Sequence, residues 1–521
     1  MLMSLPMQRL AGLVLAVIAF ALASPAWADD PPQPRNEAAA PTGQKAGRAG
    51  NAQKPAQASP AASDRRLPDD STTKQTLDLP GRTLNFTATA GSIRVFNEKG
   101  EPLADIAATS YELDGADRAT RPVTFLFNGG PGASSAWLQF GAVGPWRLPL
   151  DGEGLSPSAS PEVKPNAETW LDFTDLVFID PVGTGYSRVI ASDEDARKRF
   201  YSVDGDVNSI ALVIRRWLEK HNRLTSPKYV TGESYGGIRG PKVVRQLQIQ
   251  HGVGVRGMIL VSPLLDFREF TGTSLLQYVA SLPSYVAAAR EAKGPVKRAD
   301  LADVEAYANG EFLADLVKGE ANQEATNRLA DKVAELTGID QAVSRRLAGR
   351  FDVGEFRREL DRKNGMVTGR YDGSVRGLDP YPDSSSSRFG DPSGDALQAP
   401  LTSAAVDVLT RKLNWRPDGS YEVLNGSVEH NWDFGGGINP PQSLSELRQI
   451  LATDAKLNVL VAHGLFDLAT PYFGTKRALD QLPAFVTSRV KFVVYPGGHM
   501  FYSRDGSRQA LRSEVEALIR E

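Results

Sequence analysis

The chain contains no cysteine among its 521 residues. This absence excludes disulfide bonds, thiol catalysis, cysteine-ligated metal sites and a membrane anchor built on a lipid-modified cysteine. The chain also lacks a large excess of charge of either sign, because the formal net charge is only −3 at pH 7. The sequence therefore offers no strongly basic surface of the kind that binds nucleic acid.

Long apolar runs are missing beyond the first residues, since no later segment approaches the 18 apolar residues of a membrane-spanning helix. The N-terminal region has Arg9 in a weakly positive start, an apolar run over 10–23 and an A-x-A site ending at Ala28. This order predicts a cleaved signal peptide over 1–28 and no stable membrane anchor. Export of a chain without cysteine favours a bacterial periplasm.

Composition divides the remainder of the chain. Residues 29–70 are rich in alanine and proline and poor in bulky apolar residues, which predicts a disordered leader. We expect the first part of a folded core over 71–265, an inserted helical cap over 266–400, and the second part of the core over 401–521. The length fits one large domain with such an insertion as well as it fits two domains.

The core shows two patterns. Three alternating segments predict a meander at the edge of a sheet, and short apolar runs alternating with amphipathic helices predict a mostly parallel central sheet flanked by helices. The alternating segments are 84–89, 92–96 and 104–113. The buried strands are expected at 123–127, 176–180, 229–231, 258–261, 459–462 and 490–495, and helices at 203–220, 241–250 and 507–520.

The expected cap lacks strand patterns and is rich in good helix formers. A stretch rich in glycine, serine, aspartate and proline follows its helices at 369–393. We expect this cap to cover a pocket. Its predicted helices lie at 284–293, 299–316, 322–337 and 339–347.

The strongest local motif is the G-x-S-x-G pentapeptide at 232–236, which places Ser234 between a predicted strand and a predicted helix. A nucleophilic serine on such a sharp turn needs small neighbours so that strand and helix can approach each other. Such pentapeptides also occur by chance in a chain with 48 glycines. The flanking strand and helix favour the catalytic interpretation of Ser234.

A serine nucleophile needs a base, and that base needs an orienting carboxylate. Asp467 and His499 follow predicted strands near the C-terminus, so the order Ser234, Asp467, His499 is the one expected for a serine hydrolase with this strand–turn–helix motif. His463 precedes Asp467 in the same loop, where a structural role is expected. His251, after a helix, is expected to be a cap or surface residue.

His430 lies in a predicted loop, and its sequence context indicates no role for it. No H-E-x-x-H motif occurs and no two histidines have the spacing of metal ligands, so neither a metal nor any other cofactor is expected.

The oxyanion of a tetrahedral intermediate needs backbone N–H donors from two loops. We assign one donor to Gly130, in a glycine-rich loop after a strand, and the other to Tyr235.

Together these motifs resemble the serine carboxypeptidase family. The resemblance covers about 123–262 and 459–502 and implies the α/β-hydrolase fold. It rests on N-G-G-P-G at 128–132 with serines at 134 and 135, G-P-W-R-L at 144–148, D-P-V-G-T-G-Y-S at 180–187, G-E-S-Y-G-G at 232–237 and G-H-M at 498–500.

The resemblance implies removal of the last residue of a peptide, with Asn128, Gly129 and Glu233 binding its free carboxylate. An ionised Glu233 would repel that carboxylate, so one of the two groups must carry a proton. Two departures are visible. The second acid that commonly precedes the Gly-Pro step is absent from residues 141–143, and the cysteine after the glycine loop is Ala133.

Other functions remain open from sequence. A proline iminopeptidase combines a similar glycine loop with the same pentapeptide, but Asn128 and Glu233 favour the carboxypeptidase. An esterase or acyltransferase uses the same acyl-enzyme chemistry. A non-catalytic binding protein of this fold would usually have lost a triad residue, whereas all three are here. The expected partner is a peptide or small acyl substrate, and the sequence leaves the oligomeric state open.

Overall fold

The computed structural model describes residues 66–150, 156–192, 194–270, 273–384, 389–435 and 439–521. The predicted signal peptide (1–28) and the predicted leader (29–70) up to residue 65 lie outside them. Leu67, inside the predicted leader, is buried and donates its N–H to the Asp105 carboxylate at 3.0 Å, so ordered packing starts before residue 71. In the described part, no helix has the length and apolar character to span a membrane.

In the described residues, the strands form one large sheet and two small two-stranded antiparallel sheets. The large sheet has the order β1-β2-β3-β7-β4-β9-β10-β13-β14, with β8 paired to β3. In chain order the strands are β1 (Ser71–Leu79), β2 (Arg82–Phe96), β3 (Pro102–Leu113), β4 (Val123–Phe127), β5 (Trp146–Arg147), β6 (Lys164–Pro165), β7 (Asp175–Ile179), β8 (Arg188–Val189), β9 (Lys228–Glu233), β10 (Gly257–Val261), β11 (Met366–Thr368), β12 (Arg376–Leu378), β13 (Asn458–Gly464) and β14 (Val490–Tyr495).

The sheet confirms the predicted fold class. Strands β7, β4, β9, β10, β13 and β14 pair in parallel, whereas β1, β2 and β3 form an antiparallel meander at one edge. Every residue of β4, β7, β9 and β10 is buried. Burial on both faces explains why these strands read as short apolar runs rather than as alternating segments.

Helices cover both faces of the sheet. On one face, α3 places Trp217 edge-on to Phe125 of β4, with ring centroids 5.4 Å apart. The α-helices are α1 (Ala136–Leu138), α2 (Glu194–Phe200), α3 (Val203–Lys220), α4 (Gly236–Gln250), α5 (Leu276–Glu291), α6 (Ala302–Tyr307), α7 (Leu313–Val317), α8 (Gln323–Thr337), α9 (Gln341–Arg346), α10 (Val353–Glu359), α11 (Asp395–Asp407), α12 (Gly426–His430), α13 (Leu444–Thr453), α14 (Tyr472–Leu479), α15 (Ala484–Thr487) and α16 (Asp505–Arg520).

Shorter helical turns also occur in the described residues. The 3₁₀ turns are Trp170–Asp172, Phe267–Phe270, Arg298–Leu301, Arg362–Asn364 and Phe501–Ser503, and π-helical turns span Gln139–Val143, Ala308–Phe312 and Val408–Lys412.

The meander differs from the prediction. The expected separation of segments 84–89 and 92–96 is wrong, because β2 continues through both of them and through Gly91. A side chain at Gly91 would collide with the Asp70 carboxylate, 2.2 Å from an added Cβ, so this glycine makes room for a packed side chain rather than for a turn. The sequence also missed β1, whose residues are mostly polar and pair along their whole length with β2.

The region of the predicted insertion contains helices α5 to α10. Its buried residues on α5 to α10 pack as one cluster that includes Leu465 to Phe473 of the second core part. The hairpin of β11 and β12 was not predicted. Helix α11 begins inside the predicted cap at Asp395, yet Leu397 and Leu401 pack with the sheet core, so the insertion ends before residue 400.

Candidate active site

Ser234 occupies the sharp turn between β9 and α4. Its φ of +61° is in the left-handed region, which a residue with a Cβ rarely adopts. Two backbone hydrogen bonds of 3.0 Å hold it there, from its N–H to the Val261 carbonyl and from the Leu264 N–H to its own carbonyl. A strained residue fixed by its surroundings is typical of catalytic sites.

The glycines around Ser234 have different roles. A Cβ on Gly232 would lie 2.5 Å from the carbonyl oxygen of Gly236, and one on Gly237 would lie 2.4 Å from that of Leu264. The nearest atom to a Cβ on Gly236 would be 3.6 Å away. The close approach of strand and helix therefore requires glycine at 232 and 237, while Gly236 itself has room.

Asp467 and His499 form a hydrogen-bonded pair. His499 Nδ1 lies 2.7 Å from Asp467 Oδ2. The other oxygen, Oδ1, accepts the N–H groups of Ala469 at 2.8 Å and Thr470 at 2.9 Å. Thr470 Oγ1 also donates to Oδ2 at 2.8 Å. The carboxylate is fully buried, and these hydrogen bonds hold it in one orientation.

His499 is held on its backbone as well. Its N–H donates to the Tyr371 carbonyl at 2.5 Å, and its carbonyl accepts the Ser262 hydroxyl at 2.7 Å. Burial lowers the pKa of His499, but the charge and hydrogen bond of Asp467 and the charge of Glu233 outweigh this and raise it above the ordinary value. With Nδ1 bound to Asp467, Nε2 is the nitrogen left for a serine hydroxyl.

The three predicted triad residues share one edge of the sheet. Ser234 follows β9, Asp467 follows β13 and His499 follows β14, and these parallel strands, with β10 between β9 and β13, are consecutive in the sheet. Because parallel strands end at a common edge, their loops converge there.

The other histidines lie elsewhere. His463 is fully buried in β13, and within the described residues neither ring nitrogen has a hydrogen-bond partner. Burial lowers its pKa to about 3, so the ring stays neutral and packs as a core residue. His251 is the C-terminal cap of α4, and His430 ends α12 with its side chain exposed.

The glycine-rich loop after β4 lies directly against the turn that carries Ser234. A Cβ on Gly129 would lie 2.4 Å from the Tyr235 nitrogen. Throughout the described residues, no hydrogen bond engages the N–H of Gly130 or that of Tyr235, the two predicted oxyanion donors. Within 128–135 and 232–237, Gly130 is exposed and Ser234 half-buried while the rest are buried, so solvent reaches the site at these two residues.

Gly129→Ala is expected to lower kcat by about a hundredfold or more, because the added methyl pushes the loop away from Tyr235 and misplaces an oxyanion donor. Steady-state kinetics with an acyl substrate that the wild-type protein hydrolyses measures this change in kcat. Gly254→Ala, at a position where a Cβ meets no atom within 4 Å, is the matched control and retains wild-type activity. Equal kinetics for the two variants would show that the loop does not shape the site.

Glu233, just before Ser234, has both carboxyl oxygens within hydrogen-bond distance of the Tyr502 hydroxyl, at 3.1 Å and 3.0 Å. The Asn128 side chain also bonds to it, and Asn128 Oδ1 accepts the Leu138 N–H at 3.1 Å. Burial raises the pKa of Glu233 to about 7, against the opposing effects of His499, Tyr502 and Asn128. The structure thus brings together Asn128, Gly129 and Glu233 beside Ser234.

Comparison with known proteins addresses the family. Residues 80–281 match the family model described as serine carboxypeptidase. The predicted resemblance to serine carboxypeptidases is confirmed. The matched region contains the glycine loop and the nucleophile turn, whereas Asp467 and His499 lie outside it.

Curated relatives match about a third of the chain. Serine carboxypeptidase-like 13 of Arabidopsis thaliana is 30% identical over 150 residues, 28% of this chain and 33% of that protein. Serine carboxypeptidase-like 28 from the same plant is 29% identical over 206 residues, 36% of this chain and 40% of that protein. The chain therefore spans about a third to two fifths of the length of these relatives.

A solved structure supports the fold over a larger span. Kex1, a prohormone-processing carboxypeptidase from Saccharomyces cerevisiae, aligns with a TM-score of 0.54 over 83% of this chain and 91% of that chain, at 14% identity. At this identity the likeness shows the α/β-hydrolase fold alone. It extends the structural agreement beyond the residues matched by the serine carboxypeptidase model.

Arg239 is a site residue that sequence reasoning missed. It is fully buried in α4, donates from Nε to Asp206 Oδ2 at 2.6 Å and also donates to the Asn128 carbonyl. Its guanidinium lies 5.5 Å from the Phe127 ring and 5.2 Å from the Tyr235 ring. Arg239 therefore connects the glycine-rich loop after β4 to helix α4, which follows Ser234.

A segment of the insertion also reaches the site. Tyr371 places its ring 5.3 Å from that of His499, and the Arg370 carbonyl accepts the Leu468 N–H at 3.1 Å. The Asp391 carboxylate anchors the segment by accepting the N–H groups of Arg370 and Tyr371, both at 3.0 Å. The sequence described this region only by its turn-forming composition, so nothing local indicated the contact with His499.

Proposed function

We propose that the protein is a serine carboxypeptidase that removes the C-terminal residue of a peptide through an acyl-enzyme. The observation that carries this proposal is the buried Glu233 carboxyl immediately before Ser234, hydrogen-bonded by Asn128 and with a pKa raised by burial to about 7. A carboxyl that keeps its proton near neutral pH can donate a hydrogen bond to the carboxylate of a substrate.

In the proposed mechanism, His499 Nε2 accepts the hydroxyl proton of Ser234 as the serine oxygen attacks the scissile carbonyl carbon. Asp467 stabilises the resulting imidazolium, and the N–H groups of Gly130 and Tyr235 bind the oxyanion. When the intermediate collapses, His499 protonates the leaving amine. Water, deprotonated by His499, then attacks the acyl-enzyme and frees Ser234.

Recognition of the substrate carboxylate is assigned to three groups. The Asn128 side chain already faces Glu233, and the Gly129 N–H belongs to the loop that contacts the nucleophile turn. Protonated Glu233 supplies the third hydrogen bond. Because the peptide carboxylate is then held beside Ser234, the bond placed against the nucleophile is the last one of the chain.

The pH dependence of KM tests this recognition. As pH rises through about 7, Glu233 loses its proton and repels the substrate carboxylate, so KM for peptide acids should rise above neutral pH. As pH falls through the raised pKa of His499, the base becomes protonated and kcat should fall. Kinetics of N-blocked dipeptides in acidic, neutral and alkaline buffers measures both effects.

The matching C-terminal amides are the control for this experiment. They lack the carboxylate, so they should be turned over much more slowly, and their KM should not show the alkaline rise. Equal turnover of acids and amides, or cleavage of esters only, would keep the triad chemistry but contradict a carboxypeptidase.

We also propose that the chain is exported and acts outside the cytoplasm, in a bacterial periplasm. The support is the sequence pattern at 1–28, a weakly positive start followed by an apolar run and an A-x-A site. The N-terminal sequence of the purified secreted form, expected to begin at Asp29, tests this; a mature protein that retains residues 1–28 would contradict it.

A further inference from the structure

Tyr502 is a direct hydrogen-bond partner of the Glu233 carboxyl that the sequence did not predict. It lies in the 3₁₀ turn Phe501–Ser503, three residues after His499, and its side chain is fully buried. The hydroxyl reaches both oxygens of the Glu233 carboxyl, at 3.1 Å and 3.0 Å. The loop that supplies the catalytic base therefore also supplies a hydrogen-bond donor to the acid beside the nucleophile.

Gly141 provides the space for the tyrosine ring. A Cβ at this position would lie 2.9 Å from Tyr502 Cε2 and 3.0 Å from a methyl carbon of Leu150. A side chain at 141 would thus displace the ring from its position against Glu233. Glycine at position 141, rather than a residue with a side chain, therefore leaves the Tyr502 ring room to contact Glu233.

The hydroxyl acts as a donor across the working pH range. Burial and the neighbouring charge of Glu233 raise the pKa of Tyr502 well above its ordinary value, so the phenol stays protonated. A phenol has one proton to donate, and a carboxylate that accepts it is stabilised in its charged form. The Tyr502 hydroxyl therefore lowers the pH at which Glu233 ionises.

We propose that Tyr502 is a specificity-determining residue, whose hydroxyl sets the pH above which the site no longer accepts a substrate carboxylate. The inference rests on the proposed carboxypeptidase function. The charged or titratable groups that act on Glu233 are His499 after β14, Asp467 after β13 and Tyr502 itself, while Arg370 of the insertion acts on His499. Of these groups, Tyr502 is the one whose effect on Glu233 can be removed without changing the net charge of the site, because Tyr502→Phe deletes a neutral hydroxyl.

Tyr502→Phe tests the proposal. Without the hydroxyl, the charged form of Glu233 is less stable, so Glu233 keeps its proton to higher pH. The alkaline rise of KM for peptide acids should move upward by about one pH unit, since a hydrogen bond to a charged group has about that effect. The kcat at the plateau should stay near wild type. Tyr285→Phe, which removes a buried hydroxyl in the insertion, is the matched control and should leave the profile unchanged.

A second readout needs no carboxylate. Ser234 should react with a fluorophosphonate at a rate that falls when His499 becomes protonated. If Tyr502→Phe keeps Glu233 neutral, His499 loses the support of a negative neighbour. The acid limb of the inactivation rate should then move to lower pH. In a Glu233→Gln background, Tyr502→Phe should shift neither limb, because the titrating carboxyl is gone.

The outcomes separate the two claims. If the wild-type enzyme turns over acids and amides equally, the proposed function fails, while the inactivation profile still reports whether Tyr502 controls Glu233. If the wild-type enzyme prefers acids but Tyr502→Phe moves neither limb, or moves the alkaline limb downward, the role of Tyr502 is overturned. Thermal unfolding of each variant verifies that the fold is retained.

Discussion

Ser234→Ala is expected to lower kcat by about a millionfold, the loss typical of removing the nucleophile of such a triad. The fold should survive, because alanine adopts the φ of +61° with strain similar to that of serine and the backbone bonds to Val261 and from Leu264 do not involve the hydroxyl. Steady-state kinetics on peptide acids and thermal unfolding of the same preparation measure the two effects.

Ser344→Ala is the control for the loss of a serine hydroxyl. Ser344 is fully buried in the insertion and donates to the Ala330 carbonyl at 2.7 Å, so its variant should lose some stability but keep wild-type kcat. Residual activity of Ser234→Ala above about a thousandth of wild type would remove Ser234 from the nucleophile role.

Asp467→Asn should lower kcat by about ten-thousandfold. The amide oxygen can still accept the N–H groups of Ala469 and Thr470, but the amide nitrogen then faces His499 Nδ1, where the carboxylate oxygen was. Nδ1 becomes an acceptor and Nε2 carries the proton, so the imidazole can no longer take the proton of Ser234. The pH profile of kcat reports the loss of the base.

Asp480→Asn provides the comparison for that variant. Asp480 is an exposed residue that pairs with Lys476 at 2.6 Å on the surface of α14, and exposed pairs contribute little. Its kcat should equal that of the wild-type enzyme. A loss of less than about tenfold in Asp467→Asn would mean that another group orients His499.

The sequence predicted the parts of the fold that depend on local burial. Val123–Phe127 and Val203–Lys220 occur as predicted, because a doubly buried strand and an amphipathic helix each leave a short-range pattern. Val490–Tyr495 is also a strand, but it lies at the edge of the sheet and is not fully buried as expected. The helix at 241–250 was placed too late, since it begins at Gly236 and contains Pro241 in its second turn. The motif glycines were correctly placed on the turn, although Gly237 is more constrained than Gly236.

Contacts between distant residues could not be predicted in this way. Arg239 binds a carbonyl 111 residues earlier, and Tyr502 binds a carboxyl 269 residues earlier. Neither residue belongs to a motif, and a single arginine or tyrosine on a helical turn has no local sign of a buried partner. The chain order of Ser234, Asp467 and His499 predicted one shared edge of the sheet, but only the structure shows what supports each residue there.

The most direct test of the carboxypeptidase account is mass analysis of the products from one acetylated peptide, offered with a free C-terminus and as its amide. The account predicts loss of a single C-terminal residue from the acid at neutral pH, no release from the amide, and no release from either peptide with Ser234→Ala. Removal of an N-terminal residue from the unacetylated peptide, or equal cleavage of acid and amide, would contradict it.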